Sequence, residues 1–133
     1  MTSRWGTLEV RSSARLDLID ITDHVAAALP ERADGALVLF TPHATAALLL
    51  NEHEEHLLGD IRAWLGRAVP EEASYAHNRI DHNADSHLRA IMLGSSLVVP
   101  VEEGRLALGR WQRIFFVDLD GPRARQVRFR LLI

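Results

Sequence analysis

Two near-continuous apolar runs, Ala36–Thr41 and Ala46–Leu50, are separated only by Pro42-His43-Ala44-Thr45. Each run is too short for an ordinary helix and carries no polar face, so the pair reads as two strands covered on both sides and central in a sheet. A chain that must bury two such strands needs layers above and below them. The remaining pattern supplies those layers.

Residues 7–11 alternate, with Leu8 and Val10 on one side and Glu9 and Arg11 on the other, and Leu16–Ile21 continues the alternation. Both read as half-buried strands. Thr22 and Asp23 are N-cap types before an Ala-rich stretch that Pro30 ends, and Asp34-Gly35 marks a turn. In Glu54–Val69, Leu57, Leu58, Ile61, Trp64, Leu65, Ala68 and Val69 form a helical stripe that stops at Pro70. A polar loop, Glu71 to Asn83, precedes a shorter helix from about Ser86 to Leu93, with Asp85 as cap, Leu88, Ile91 and Met92 facing inward and Gly94 as the stop. Strands are expected at Leu97–Val101, Arg105–Leu108, Trp111–Leu119 and Gln126–Ile133, with turns at Glu102-Glu103-Gly104 and Asp120-Gly121-Pro122. Grouped strands with two to three helices between them predict an α+β fold, a mostly antiparallel sheet or sandwich. At 133 residues, without a linker or repeat, the chain is expected to form one domain over 1–133.

Composition narrows the chemistry. There is no cysteine, and all 15 basic side chains are arginine, with no lysine. Thiolate nucleophiles, Cys-ligated metals, lysine Schiff bases and the P-loop lysine are therefore excluded. A net charge of −3 with dispersed arginines argues against a nucleic-acid partner. No apolar run approaches the length of a membrane-spanning helix, and Met1–Val10 lacks the apolar core of a signal peptide, so a cytoplasmic protein with no membrane partner is expected. No GxGxxG, GxxxxGK[ST] or GxSxG motif is present.

Seven histidines remain to be explained. His24 reads as a solvated or capping residue. His53-Glu54-Glu55-His56 differs from H-E-x-x-H in spacing and reads as a charged helix face. His43 sits at the junction of the two apolar strands, and His77, Asp81, His82, Asn83, Asp85 and His87 crowd together before a helix. Imidazoles in such a set suit zinc or another divalent ion, with Asp81 and Asp85 as ligands or orienting groups; an incidental polar loop is the alternative. Asn51-Glu52 reads either as a pocket rim or as a helix cap. Trp111 beside Gln112 reads either as core or as the wall of a small-molecule pocket.

Several segments together resemble the YjbQ-type family, small proteins described as secondary thiamine-phosphate synthases. They are Thr41-Pro42-His43-Ala44-Thr45-Ala46-Ala47 with Asn51-Glu52, Asn83-Ala84-Asp85-Ser86-His87-Leu88, Leu93-Gly94-Ser95-Ser96, Gly104–Gln112 and Asp120–Arg125. Arg110 departs from the family's small Thr before Trp-Gln, and Leu50 from a more typical Ile.

The resemblance implies a homotrimeric α+β protein with a metal or anion site built from His43, His77 and His87, near a subunit boundary. It implies a divalent metal, zinc first and magnesium as the alternative with a diphosphate substrate. The implied reaction joins a pyrimidine alcohol diphosphate to a thiazole alcohol phosphate, releasing pyrophosphate. Glu52, Asn51 and Asp85 are then the candidate catalytic residues. Thr45, Asn83, Trp111, Gln112 and Arg125 are the candidate substrate contacts, with the pyrimidine near Trp111 and Arg123 as second choice for phosphate. The alternatives are a non-enzymatic trimer that binds a metal or a small phosphorylated metabolite, and a metal-dependent phosphoester hydrolase.

Overall fold

The computed structural model describes residues 4–133; residues 1–3, which belong to the N-terminal stretch read against a signal peptide and to the expected 1–133 domain, lie outside the described residues. Eight strands form two antiparallel sheets. β1 (Gly6–Arg11), β8 (Ala124–Leu132), β3 (Gly35–Phe40), β5 (Ser96–Glu102) and β6 (Arg105–Leu106) make a five-stranded sheet in that order. β2 (Asp17–Asp20), β7 (Arg113–Asp118) and β4 (Ala46–Asn51) make a three-stranded one. Three helices, α1 (Thr22–Ala26), α2 (Glu55–Ala68) and α3 (Ala84–Leu93), complete an α+β fold.

The layers follow from side-chain alternation along the strands. Leu8, Val10, Leu37, Leu39, Val99, Val101, Val127 and Leu131 of the larger sheet meet Ala46, Leu48, Ile114 and Phe116 of the smaller one. The smaller sheet turns Leu18, Ala47, Phe115 and Val117 to its other side, against Leu58 and Leu65 of α2 and Ala90 of α3. The three-stranded sheet is thus a middle layer. Its strands are covered twice, which is why β7 is buried from Ile114 through Asp118.

The two apolar runs do not share a sheet. β3 is the centre of the larger sheet, but only Leu37 and Leu39 point into the core, while Phe40 is exposed on the outer face. β4 is an edge strand of the smaller sheet and owes its two-sided burial to that middle position. The five residues between β3 and β4, Thr41 to Thr45, carry the chain from one sheet to the other.

The helices also depart from expectation. α1 ends at Ala26, and its first turn is held by Asp20, whose Oδ1 accepts from Thr22 N (3.0 Å) and Thr22 Oγ1 (2.6 Å). α2 is capped by Glu54, whose carboxylate accepts from His56 N and Leu57 N at 2.7 and 3.0 Å. Its buried stripe is narrower than the apolar pattern, since Trp64 and Ala68 are exposed. α3 begins at Ala84, so Asp85 is not its cap but lies in the first turn.

The amphipathicity of α3 is reversed. Asp85, Ser86, Arg89 and Ala90 face the protein, while Leu88, Ile91 and Met92 face outward, Ile91 79% exposed. The inward polar groups are all paired. Ser86 Oγ donates to Leu119 O (2.5 Å), Arg89 donates to Val69 O (3.0 and 2.8 Å), and Asp85 is held by Arg15 and Arg89. Gly94, at φ +102°, ends the helix.

Candidate functional site

A buried polar network fastens the loop between β3 and β4 to the sheets. Arg125 Nε and Nη2 donate to the two oxygens of Asp118 at 3.0 and 2.9 Å, and Nη2 also donates to Thr45 Oγ1 at 2.9 Å. Asp118 accepts further from Ser12 Oγ (2.6 Å) and Asp120 N (3.0 Å). Burial opposes the charge on Asp118, but hydrogen bonds from Arg125 and Ser12 outweigh it and hold the carboxyl below the usual range. Arg125 and Thr45, expected at a substrate, are therefore joined in a structural clamp, Arg125 only 4% exposed.

The clamp sets His43. The backbone N–H of Gln126, next to Arg125, donates to His43 Nε2 at 3.0 Å. A lone pair at Nε2 places the proton of the neutral ring on Nδ1. Burial, with Arg125 and Arg123 nearby, lowers the His43 pKa below the ordinary imidazole value and favours that neutral form. His43 and His87 line one cleft of about 330 Å³, whose other walls are Ala44, Ala46, Ala90, Ile91, Gly94 and Ser95.

On the far side of His87 lies His77, the two rings edge to face at 4.8 Å between centroids. His77 Nε2 donates to Asn83 Oδ1 at 2.9 Å, and Asn83 Nδ2 donates to Asp120 Oδ2 at 2.9 Å. The acceptor-only carboxylate thereby fixes which way the Asn83 amide points, and leaves Nδ1 of the neutral His77 ring as its lone pair. Asn83 is a positioning residue here. His82 is exposed and paired with Glu72 at 3.3 Å.

Among the described residues, no three His, Asp or Glu side chains converge where a metal could be held. The hydrogen bonds give a reason: His43 Nε2 is already an acceptor for Gln126, and Asp85 is sequestered. Arg15 grips Asp85 through two bonds, 2.9 and 3.0 Å, Arg89 adds a contact at 3.3 Å, and Asp85 is fully buried. Burial again opposes its charge, and Arg15 more than compensates, lowering the pKa. One chain's residues therefore do not fit the expected three-ligand metal site, and Asp85 is an anchor for α3 rather than a free base.

The remaining candidates lie elsewhere. Asn51 ends β4 and Glu52 follows it, while the first residue of the strand, Ala46, lines the His43–His87 cleft. Five strand steps separate Ala46 from Asn51, about 16 Å. Asn51 Oδ1 accepts from Glu52 N at 2.8 Å. Glu52 and Trp111 border a second cleft of about 430 Å³ with Asp20, His53, Arg110 and Arg113. Gln112 folds back on its own turn, its Oε1 accepting from Gly109 N at 2.8 Å. Trp111 is neither core nor strand: β7 starts at Arg113, and the indole is 62% exposed.

In that second cleft Asp20 Oδ2 takes both His53 Nδ1 (2.8 Å) and Arg113 Nε (2.8 Å). His53 was expected only on a charged helix face; its partner lies 33 residues away in the chain, on a different element, and no local spacing could reveal it. The same is true of Ser12, Arg15 and Asp118.

The geometry of the loop after β3, the start of α3 and the β7–β8 turn falls on the segments that carried the resemblance. The family described as "UPF0047 protein YjbQ-like" matches residues 6–132. The chain belongs to this family. A UPF0047 protein of Archaeoglobus fulgidus is 50% identical over 120 residues, covering 90% of this chain and 94% of the relative. The UPF0047 protein YugU of Bacillus subtilis is 34% identical over 131 residues, covering 95% and 97%. The crystal structure of a hypothetical protein from Aeropyrum pernix K1 superposes with a TM-score of 0.93 at 39% identity, covering 98% of both chains. A YbjQ-like protein of unknown function from Sulfolobus solfataricus P2 gives 0.89 at 36% identity, again covering 98% of both. Membership in the UPF0047 family thus extends across both sheets and all three helices. No helix among the described residues is long and apolar enough to cross a membrane.

Proposed function

We propose that this UPF0047 protein binds a small phosphorylated metabolite in the His43–His87 cleft. Its reaction is of the thiamine-phosphate-synthase type, joining a pyrimidine diphosphate to a thiazole phosphate with release of pyrophosphate. The observation that carries the reading is the tautomer of His43, which the Gln126 N–H turns into an Nδ1–H donor beside His87, in a cleft walled by small residues. N–H donors near Arg123 suit phosphoryl oxygens. Arg123, exposed and held only by a 3.4 Å contact to Asp120, is freer for that role than Arg125, which is buried against Asp118.

In the joining step the thiazole nitrogen uses its own lone pair to form the C–N bond while the C–O bond to the diphosphate breaks. No proton has to be removed, whereas phosphoester hydrolysis would call on a cleft histidine such as His87 as the base for water. A metal, zinc or magnesium, would need ligands from a second copy or from the diphosphate itself.

The exposed apolar row Leu88, Ile91 and Met92, of which Ile91 lines the cleft, supports self-association, read here as a homotrimer. A second copy would also have to bring Glu52, Trp111 and Gln112 to the substrate, since in one chain they lie at the other end of β4. A cytoplasmic location suits such substrates.

The test is calorimetry with pyrophosphate, followed by assay of pyrophosphate release from the two substrates. Binding weakened about tenfold or more by His43→Ala, together with turnover, supports the reading. Binding without turnover leaves the metabolite-binding trimer, and no binding overturns both.

A further inference from the structure

The outer face of the five-stranded sheet carries a groove of about 370 Å³ lined by Trp5, Val38, Phe40, Ser96 and Arg128, none of which lines either of the two histidine-bearing clefts. We propose that this groove is a separate binding site, for a small organic carboxylate with a flat apolar body. The proposal does not rest on the phosphate reading above.

A sheet face open to water ordinarily carries polar side chains. β3 instead turns Ala36, Val38 and Phe40 outward, and the register sets Val98 of β5 opposite Val38 and Leu132 of β8 opposite Ala36, on the same face. Val98 is 65% exposed, and Trp5 and Phe40 are exposed with it.

Two arginines enter this apolar surface. Arg128 stands opposite Thr7 and Phe40, and Arg130 stands opposite Val38. Nearby in the chain, Arg123 and Arg125 pair with Asp120 and Asp118. Among the described residues neither Arg128 nor Arg130 is paired with a carboxylate, and Arg130 Nε is buried with no hydrogen-bond partner. Glu9, the carboxylate that β1 brings to this face, meets Gln126 Nε2 at 3.4 Å. The Arg128 guanidinium lies 5.6 Å from the Trp5 ring centroid, a contact that orients the fork and leaves its charge unanswered.

Charge and shape together select the ligand. The planar fork of Arg128 matches the two oxygens of a carboxylate, with the Ser96 hydroxyl as a further donor in the groove. An apolar ring then lies against Trp5, Val38 and Phe40. The volume falls in the range of small-molecule sites, about 300–1,000 Å³. Inorganic phosphate would give up its hydration to a mostly apolar lining, a cation would meet the two arginines, and a neutral ring would forgo the charged hydrogen bond.

The experiment titrates phenylacetate into the full chain in its native assembly and follows the Trp5 indole N–H resonance, assigned with Trp5→Phe. Phenylacetamide keeps the ring without the charge, and acetate keeps the charge without the ring. Phenylacetate is expected to move the Trp5 resonance saturably, with both controls at least roughly tenfold weaker. Arg128→Gln should weaken phenylacetate roughly tenfold, whereas Arg11→Gln, at an exposed position outside the groove, should leave it unchanged. Circular dichroism checks that both variants fold. Equal affinity for phenylacetate and phenylacetamide, or an affinity unchanged in Arg128→Gln or lowered as much in Arg11→Gln, would overturn the proposal. So would a Trp5 resonance that no probe moves, the result expected if a second copy covers the face, or one that responds to phosphatidylglycerol vesicles but not to phenylacetate, the result expected of a lipid-binding surface.

Discussion

Replacing Arg125 by Ala separates a structural clamp from a phosphate contact. In the folded protein the guanidinium makes three hydrogen bonds, two to Asp118 and one to Thr45, and both partners of the ion pair are at most 4% exposed. Removing one member of a buried, hydrogen-bonded pair costs about 3–5 kcal/mol, because the other charge stays buried without its counterion. Asp118 keeps Ser12 Oγ and Asp120 N, which places the expected loss toward the lower end, about 3 kcal/mol. Urea denaturation at fixed protomer concentration measures it. Asp118→Ala should cost a similar amount, and the double variant less than the sum of the two. If Arg125→Ala unfolds within about 1 kcal/mol of the parent while losing pyrophosphate binding, the clamp is not what Arg125 is for, and the reasoning fails.

Other outcomes follow from the same contacts. Asp20, Asp85 and Asp118 all have folded-state pKa values depressed below the ordinary Asp value, so the unfolded state binds more protons in acid. Their stabilisation is complete above the unfolded pKa, about 3.9, and is lost as pH falls through the folded values; urea midpoints should therefore drop steeply below about pH 4, and less steeply in Asp118→Asn. Glu54→Ala removes the α2 cap and should cost about 1 kcal/mol, read from the same denaturation curves. Leu65→Ala, at a fully buried position on the inner face of α2, should cost about 2–5 kcal/mol. Ile91→Asp places a charge in the exposed row on α3 and should shift a trimer to smaller species by sedimentation or light scattering; a protein that is monomeric to begin with would remove the self-association reading.

Much of the fold was legible because strand alternation is a local property. Leu8 and Val10, Leu37 and Leu39, and Val127, Phe129 and Leu131 stand two residues apart in turn, and that spacing alone places each set on one face. The turn residues around Gly94 and Gly104 likewise act within a few positions: Gly104 has φ +77°, and a Cβ there would meet Arg32 N at 2.6 Å. The absence of Cys and Lys restricts the available chemistry to His, Arg, hydroxyl and carboxylate groups in any fold the chain could adopt.

Which strand joins which sheet was a different matter. β3 and β4 look alike as strings of apolar residues, yet one is covered by a single sheet and the other by a sheet and two helices, because burial depends on what arrives from elsewhere in the chain. The reversal of α3 has the same origin: Arg15 reaches across from 70 residues away to neutralise Asp85, so the polar face can be the buried one. At the site, residue order supplies the histidines and puts His43, His77 and His87 near turns. Which ring nitrogen each offers, and which candidate residues share a cleft, comes from folding, since tautomer and proximity are set by Gln126, Asn83 and Asp20, partners that a linear spacing does not contain.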